Sequence, residues 1–431
     1  MVAEAKPREA WQAILEGEMA ASAGELLAAF SNHLVDPSLV DGQGPFLAGG
    51  HSGIAIFYAY LNRAGRGDGH EDRALAYLER ALQALAEQRL PASLFSGFLG
   101  VGWTVEHLRG RYLDSGEDSG DDLDGALLRF LESPPRAVPR SVGYDVVSGV
   151  VGQGVYALAR LPRPAARKCL DIILERLEAW SESTREGAAW WTPPELLHTK
   201  ELKRHPRGYY NLGLAHGVPG VIAFLARLCD EGVATARARP ILDGAVAWLL
   251  AHKLPKGSSV LFPAYAGPGI DPGTPRYGWC YGDLGVAVAL LAAARAVGNS
   301  SWEREALETA FVAADCVSSA TSVIPNAGLC HGAAGAGHLF NRLFQATGEP
   351  RFKETACVWF KHALSMRRAG SDLDGYVATR RSSRDDKLYT VKDRGLLSGA
   401  AGIGLALLSA ISPIEPEWDA ALLVSLPVHG A

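Results

Sequence analysis

The chain has 431 residues, 48% of them apolar, and a formal net charge of −5 with no basic tract. That balance argues against a nucleic-acid partner, which a clustered positive face would signal. The absence of a well-flanked run of eighteen uncharged apolar residues argues against a membrane span, and the charged start Met1 to Ala10 has no apolar signal core, so a soluble cytoplasmic protein is expected.

Taken in chain order, the sequence alternates amphipathic stretches with a glycine motif and an apolar run. Trp11 to Leu34 precedes Gly50/Gly53 and the run Ile54 to Leu61, and Asp72 to Gln88 precedes Gly97/Gly100. Leu123 to Leu131 precedes Gly149/Gly152 and Val155 to Leu161, and Ala165 to Trp180 precedes Gly217/Gly220 and Val221 to Leu228. Ile241 to His252 leads to Gly282/Gly285 and Val286 to Ala294, Glu303 to Val317 to Gly332/Gly335, and Arg351 to Leu364 to Gly399/Gly402 and Ile403 to Ile411.

Successive first glycines lie 47, 52, 68, 65, 50 and 67 residues apart. This is a repeat with a constant core and variable connections. The runs after the glycines are apolar nearly all round, as interior helices are, whereas the charged and apolar residues of the preceding stretches mix at helical spacing, as in an outer layer. With no run of period-two strands, the expected fold is all-α: a closed, double-layered α/α toroid of seven inner and seven outer helices. Length alone suggests two or three domains, but the repeat favours one domain spanning residues 1–431. Four long connections, Asp114 to Asp124, Glu186 to Tyr210, Leu254 to Trp279 and Arg367 to Arg394, are expected to overhang a mouth of the ring or to serve as spacers.

In such a ring the glycine turns fall at one end, so the residues before them converge. Before the first glycine stand Gly49, Ser96, Ser148, His216, Tyr281, His331 and Ser398, and one place earlier in units five and six stand Cys280 and Cys330. Two thiolates and an imidazole suit zinc, and a three-ligand set leaves a coordination position open, as catalytic zinc does. A sulfur-rich ion suits binding an incoming thiol as thiolate better than polarising water. His216, in register with His331, titrates near neutrality and is a candidate acid or base. The other cysteines, at 169, 229, 316 and 357, fall in predicted helices and look like small core residues of a reducing compartment.

Together Ala215-His216-Gly217-Val218-Pro219-Gly220, Trp279-Cys280-Tyr281-Gly282 and Leu329-Cys330-His331-Gly332 resemble the lanthionine synthetase C family, the cyclases of lantibiotic biosynthesis. The resemblance implies an α/α toroid with one zinc ion on Cys280, Cys330 and His331. It further implies Michael addition of a peptide cysteine thiol to dehydroalanine or dehydrobutyrine, with His216 managing protons. It also assigns Asp145 to orienting His216, Arg276 to the enolate oxygen, and Tyr281 to a hydrogen bond in the site; Trp190 and Trp191 are expected as an apolar wall for the peptide. Bare surface or packing roles remain open for these residues, and for Asp145 a helix cap.

A chain of this length has no room for a fused dehydratase. The resemblance therefore implies a dehydrated precursor peptide as substrate, a separate dehydratase and an exporter as partners, and a setting in the cytoplasm at the edge of a membrane-associated complex. Eukaryotic relatives that share the zinc motif are associated with glutathione, so a thiol-binding protein without cyclase activity stays open as the alternative. A protein prenyltransferase subunit is a weaker rival, because its metal set normally includes an aspartate and its repeats lack this glycine register.

Overall fold

The computed structural model describes residues 11–112, 120–133, 143–197, 199–255, 257–270, 276–321, 324–381 and 387–429. Met1 to Ala10 and most of the acidic stretch from Asp114 lie outside them. In chain order, outer and inner helices alternate: α1 (Gly17–His33) and α2 (His51–Arg63), α3 (His70–Glu87) and α4 (Phe98–Leu108), α5 (Asp121–Glu132) and α6 (Val150–Ala159). Then come α7 (Pro164–Trp180), a short α8 (Thr199–Arg204) and inner α9 (Val218–Asp230), followed by α10 (Thr235–Ala251) and α11 (Asp283–Val297). The ring is completed by α12 (Ser300–Asp315), a short α13 (Val317–Thr321) and α14 (Ala333–Thr347), and by α15 (Pro350–Ser365) and α16 (Ala400–Ile411).

Every inner helix begins on the residue after the first glycine of its motif. Composition separates the two layers. All residues of α16 from Ala400 to Ile411 are buried, whereas α3 buries only His70, Ala74, Tyr77, Leu78 and Ala81, one face of a helix. The inner helices touch in sequence, α2 with α4, α4 with α6, α6 with α9, α9 with α11, α11 with α14 and α14 with α16, and α16 returns to α2. The ring is closed, an α/α toroid.

The glycine turns are stitched to one another through the backbone two or three residues before each first glycine. Ala48 N–H donates to Phe95 O (3.0 Å), Phe95 N–H to Val147 O (3.2 Å) and Val146 N–H to Ala215 O (3.1 Å). On the other side Cys280 N–H donates to Cys330 O (3.3 Å), Cys330 N–H to Leu397 O (2.7 Å) and Leu397 N–H to Ala48 O (2.8 Å). Between units four and five the backbones pass so closely that a Cβ on Gly213 would lie 2.1 Å from Cys280 O. Only glycine permits such an approach.

Two features depart from the sequence pattern. The segment before Gly17 is not helical: Ile14 and Leu15 donate backbone N–H groups to Ala410 O (2.8 and 2.9 Å), and Trp11 donates its indole N–H to Ser409 O (2.8 Å), so these apolar residues dock on α16 instead. The long connections carry short antiparallel strands: β1 (Glu182–Ser183) with β2 (Ala188–Ala189), β3 (Trp191–Thr192) with β4 (Tyr209–Asn211) and β5 (Tyr265–Ala266), and β6 (Ala378–Arg381) with β7 (Leu388–Val391). Segments of two to four residues are too short to show alternation.

After α16 the chain turns back through a 3₁₀ segment, Glu417–Leu422, among the C-terminal halves of inner helices. There Asp419 is fully buried with Arg342 (2.6 and 3.0 Å) and His338 (2.8 Å), and Leu422 O accepts the indole N–H of Trp279 at 2.8 Å. The tail thus reaches along the axis to the residue before Cys280. Among the described residues no helix is long and apolar enough to cross a membrane.

Candidate metal centre and the cleft beside it

Cys280 and Cys330 become neighbours because their turns share the backbone hydrogen bond that links units five and six. Gly278 lets those turns meet, since a Cβ there would lie 2.8 Å from His331 Cα. The ligand atoms of Cys280, Cys330 and His331 all fall within 4.8 Å of one another, a spread that a zinc ion with bonds of about 2.0–2.3 Å closes with little movement. Cys280 is 9% exposed, Cys330 partly covered, and His331 open to solvent.

The donor set is already polarised toward a cation. Hydrogen bonding from Cys330 holds the Cys280 thiol well below the ordinary cysteine range against the cost of burial, with His331 and His216 adding to the effect. The same contact and burial push Cys330 well up. His331 is raised by its hydrogen bond to Cys280.

His216 lies in the next unit, its ring 6.2 Å from that of Tyr281. Its Nδ1 is 2.9 Å from Asp145 Oδ2. Burial disfavours the imidazolium, but the hydrogen bond and charge of Asp145, with the charges of Cys280 and Glu201 beside them, outweigh it and the His216 pKa is raised; in return, against its own burial cost, Asp145 is lowered. The other Asp145 oxygen accepts the N–H groups of Ser148 (2.8 Å) and Gly149 (2.9 Å) at the start of α6. Arg276 is exposed, with its guanidinium 4.8 Å above the Tyr281 ring. Tyr281 Oη accepts from Asn211 Nδ2 at 3.0 Å, and burial pushes its phenol well above the ordinary value.

These groups open on a cleft of about 710 Å³ lined by Ser96, Tyr144, Asp145, Ser148, His205, Tyr209, Asn211, His216, Tyr265, Arg276 and Tyr281, among others. Every site residue expected from the sequence therefore lies in the metal-ligand triad or along this cleft. The two tryptophans behave otherwise. Trp190 is fully buried and donates its indole N–H to Leu177 O at 2.9 Å, so it fills the core. Trp191 packs edge-on against Tyr210. Of the helical cysteines only Cys169 is buried, while Cys229, Cys316 and Cys357 are partly exposed; all are free thiols.

Asn211, Tyr209 and Tyr265 come from β4 and β5, and Tyr144 from the turn ahead of α6, and no sequence pattern singles them out. One signal for Asn211 exists. It stands six residues before its first glycine, as do Asn326 and Asp393 in units six and seven.

Comparison with known proteins agrees with this architecture. The profile for Lanthionine synthetase C-like protein matches residues 43–423. A zebrafish (Danio rerio) relative, Glutathione S-transferase LANCL1, is 25% identical over 361 residues, 80% of each chain. The Nisin biosynthesis protein NisC of Lactococcus lactis subsp. lactis is 23% identical over 283 residues, 59% of this chain and 63% of its own length. The solved structure of nisin cyclase superposes with a TM-score of 0.73 at 19% identity, covering 95% of this chain and 98% of its own, which establishes the shared toroid fold. By its repeat, its closed ring and a profile match over most of its length, the chain belongs to the lanthionine synthetase C-like family.

Proposed function

We propose that the protein is a zinc-dependent cyclase that forms lanthionine and methyllanthionine rings, by intramolecular addition of peptide cysteine thiols to dehydroalanine or dehydrobutyrine in a lantibiotic precursor. The observation that carries the reading is a two-thiol, one-imidazole set next to a carboxylate-paired histidine, on the rim of a peptide-sized cleft. Zinc bound by Cys280, Cys330 and His331 supplies a cation that keeps an incoming thiol ionised at neutral pH.

The chain's own residues account for the rest. His216, oriented by Asp145, takes the thiol proton and returns it to the α-carbon once the carbon–sulfur bond has formed, so the reaction adds and loses nothing. Arg276 faces the oxygen on which negative charge develops. Tyr281, kept neutral by burial, donates a hydrogen bond at the same place. The dehydro residues must be made beforehand, which calls for a separate dehydratase acting on the same peptide; an exporter and a cytoplasmic setting near the membrane fit that pathway.

A second reading is a thiol-binding protein that takes glutathione and forms no rings, and the zebrafish relative's name favours it. Incubation with a dehydrated precursor peptide separates the two. The cyclase reading predicts loss of alkylatable thiol without change in peptide mass, and His216→Ala should keep the metal while the rate falls about 100-fold. Glutathione binding with no ring formation on any dehydrated peptide would establish the second reading instead.

A further inference from the structure

In units four, six and seven the residue six before the first glycine makes the same turn. Asn211 Oδ1 accepts Gly213 N–H (2.8 Å), Asn326 Oδ1 accepts Gly328 N–H (3.2 Å), and Asp393 Oδ1 accepts Gly395 N–H (2.9 Å). This half of the side chain is structural, an Asx turn that the repeat reuses. In unit four the other half reaches across the unit boundary, where Asn211 Nδ2 lies 3.0 Å from Tyr281 Oη.

The direction of that bond is fixed by chemistry. A backbone N–H can only donate, so the atom of Asn211 facing Gly213 must be oxygen and the atom facing Tyr281 must be the NH₂ group. Asn211 is 2% exposed and β4 pairs it with Tyr265 of β5, so it has little freedom to turn. Tyr281 Oη therefore accepts a hydrogen bond from Asn211 and directs its own O–H elsewhere. The ring of Tyr265 stands 5.5 Å away on the wall of the same cleft.

We propose that Asn211 is a positioning residue that sets Tyr281 as a hydrogen-bond donor into the cleft. The inference rests on the cyclase reading in one respect: the acceptor in the cleft is the carbonyl oxygen of the dehydro residue, where charge builds during addition. An acceptor in place of Asn211 would pull the phenol proton back toward the core and silence the donor without removing it.

Asn211→Asp makes that exchange. It keeps the turn, as Asp393 does at the matching place in unit seven, and offers Tyr281 an acceptor. In wild-type protein carrying ¹³C-labelled tyrosine, the Tyr281 Cζ signal is identified by its loss in Tyr281→Phe. The proposal expects that signal to move in Asn211→Asp and to stay in place in Asn326→Asp, which shares the turn but not the contact. An unmoved signal in Asn211→Asp overturns it.

In turnover, Asn211→Asp and Tyr281→Phe should each lower kcat about 100-fold with KM nearly constant, and the double variant should be no slower than the slower single one. Effects that multiply would mean that Asn211 acts by another route. If the wild-type protein closes no rings, the cyclase reading fails by itself, and the NMR comparison still decides the direction of the hydrogen bond.

Discussion

Asp145 divides its two oxygens between two roles. One accepts the amides of Ser148 and Gly149, just ahead of α6, and the other lies 2.9 Å from His216 Nδ1; the side chain bonds none of the helix's own amides, so it tightens the turn before α6 and does not cap the helix. Asp145→Asn removes the chief charge that offsets burial, so the His216 pKa should fall, as NMR titration of the ring would show; an unchanged titration would remove Asp145 as the cause. The pairing also stabilises the fold with a defined sign. Because the His216 pKa is raised by folding, its contribution is complete below the unfolded value of about 6.5 and is lost as pH rises through the folded value. The candidate metal ligands and His216 were legible in the sequence because the repeat puts them in one register. Arg276, Asp145 and Tyr281 needed the family resemblance, and Asn211 was hidden because its partner lies 70 residues away across a unit boundary.

At the scale of the element, the glycine motif is where the layers are fastened. A Cβ on Gly402 would stand 1.7 Å from Leu396 O, whereas one on Gly42 would meet nothing within 4 Å. Gly402→Ala should therefore cost about 3 kcal/mol by denaturant unfolding, while Gly42→Ala should stay within about 0.5 kcal/mol; equal effects would refute the close-approach account. The seven inner helices were readable because each combines this motif with an apolar run, and the outer ones because one face is charged. Strand content was not, since a three-stranded sheet built from pieces such as Trp191–Thr192 and Tyr265–Ala266 depends on contacts distant in sequence. The same limit misplaced Trp190: the residue type marks it as large and apolar, but only its packing against Tyr144 and its hydrogen bond to Leu177 O show that it faces the core.

For the whole molecule, closure of the ring and the C-terminal tail set stability. Burial alone would raise the Asp419 carboxyl, but Arg342 and His338 outweigh it and hold it at about 2. A depressed carboxyl contributes stability above its unfolded value and loses it as pH falls. The wild-type protein should thus lose about 2 kcal/mol between about pH 4 and pH 2, a loss absent from Asp419→Asn. At neutral pH Asp419→Ala should cost about 3–5 kcal/mol by leaving Arg342 and His338 buried without their partner, and a neutral effect in thermal unfolding would contradict the role given to the tail. That cluster was invisible to periodicity because it joins α14 to a short 3₁₀ turn 77 residues further on. On the proposed reading, ring closure gathers two sulfurs and one imidazole from separate units around one ion with room for a thiol. X-ray absorption at the zinc edge tests it directly. Zinc-loaded protein should show two sulfurs and one protein nitrogen, with the sulfur count rising to three when a peptide thiol is added; a shell closed by four protein ligands, or one that added thiol leaves unchanged, would contradict the account.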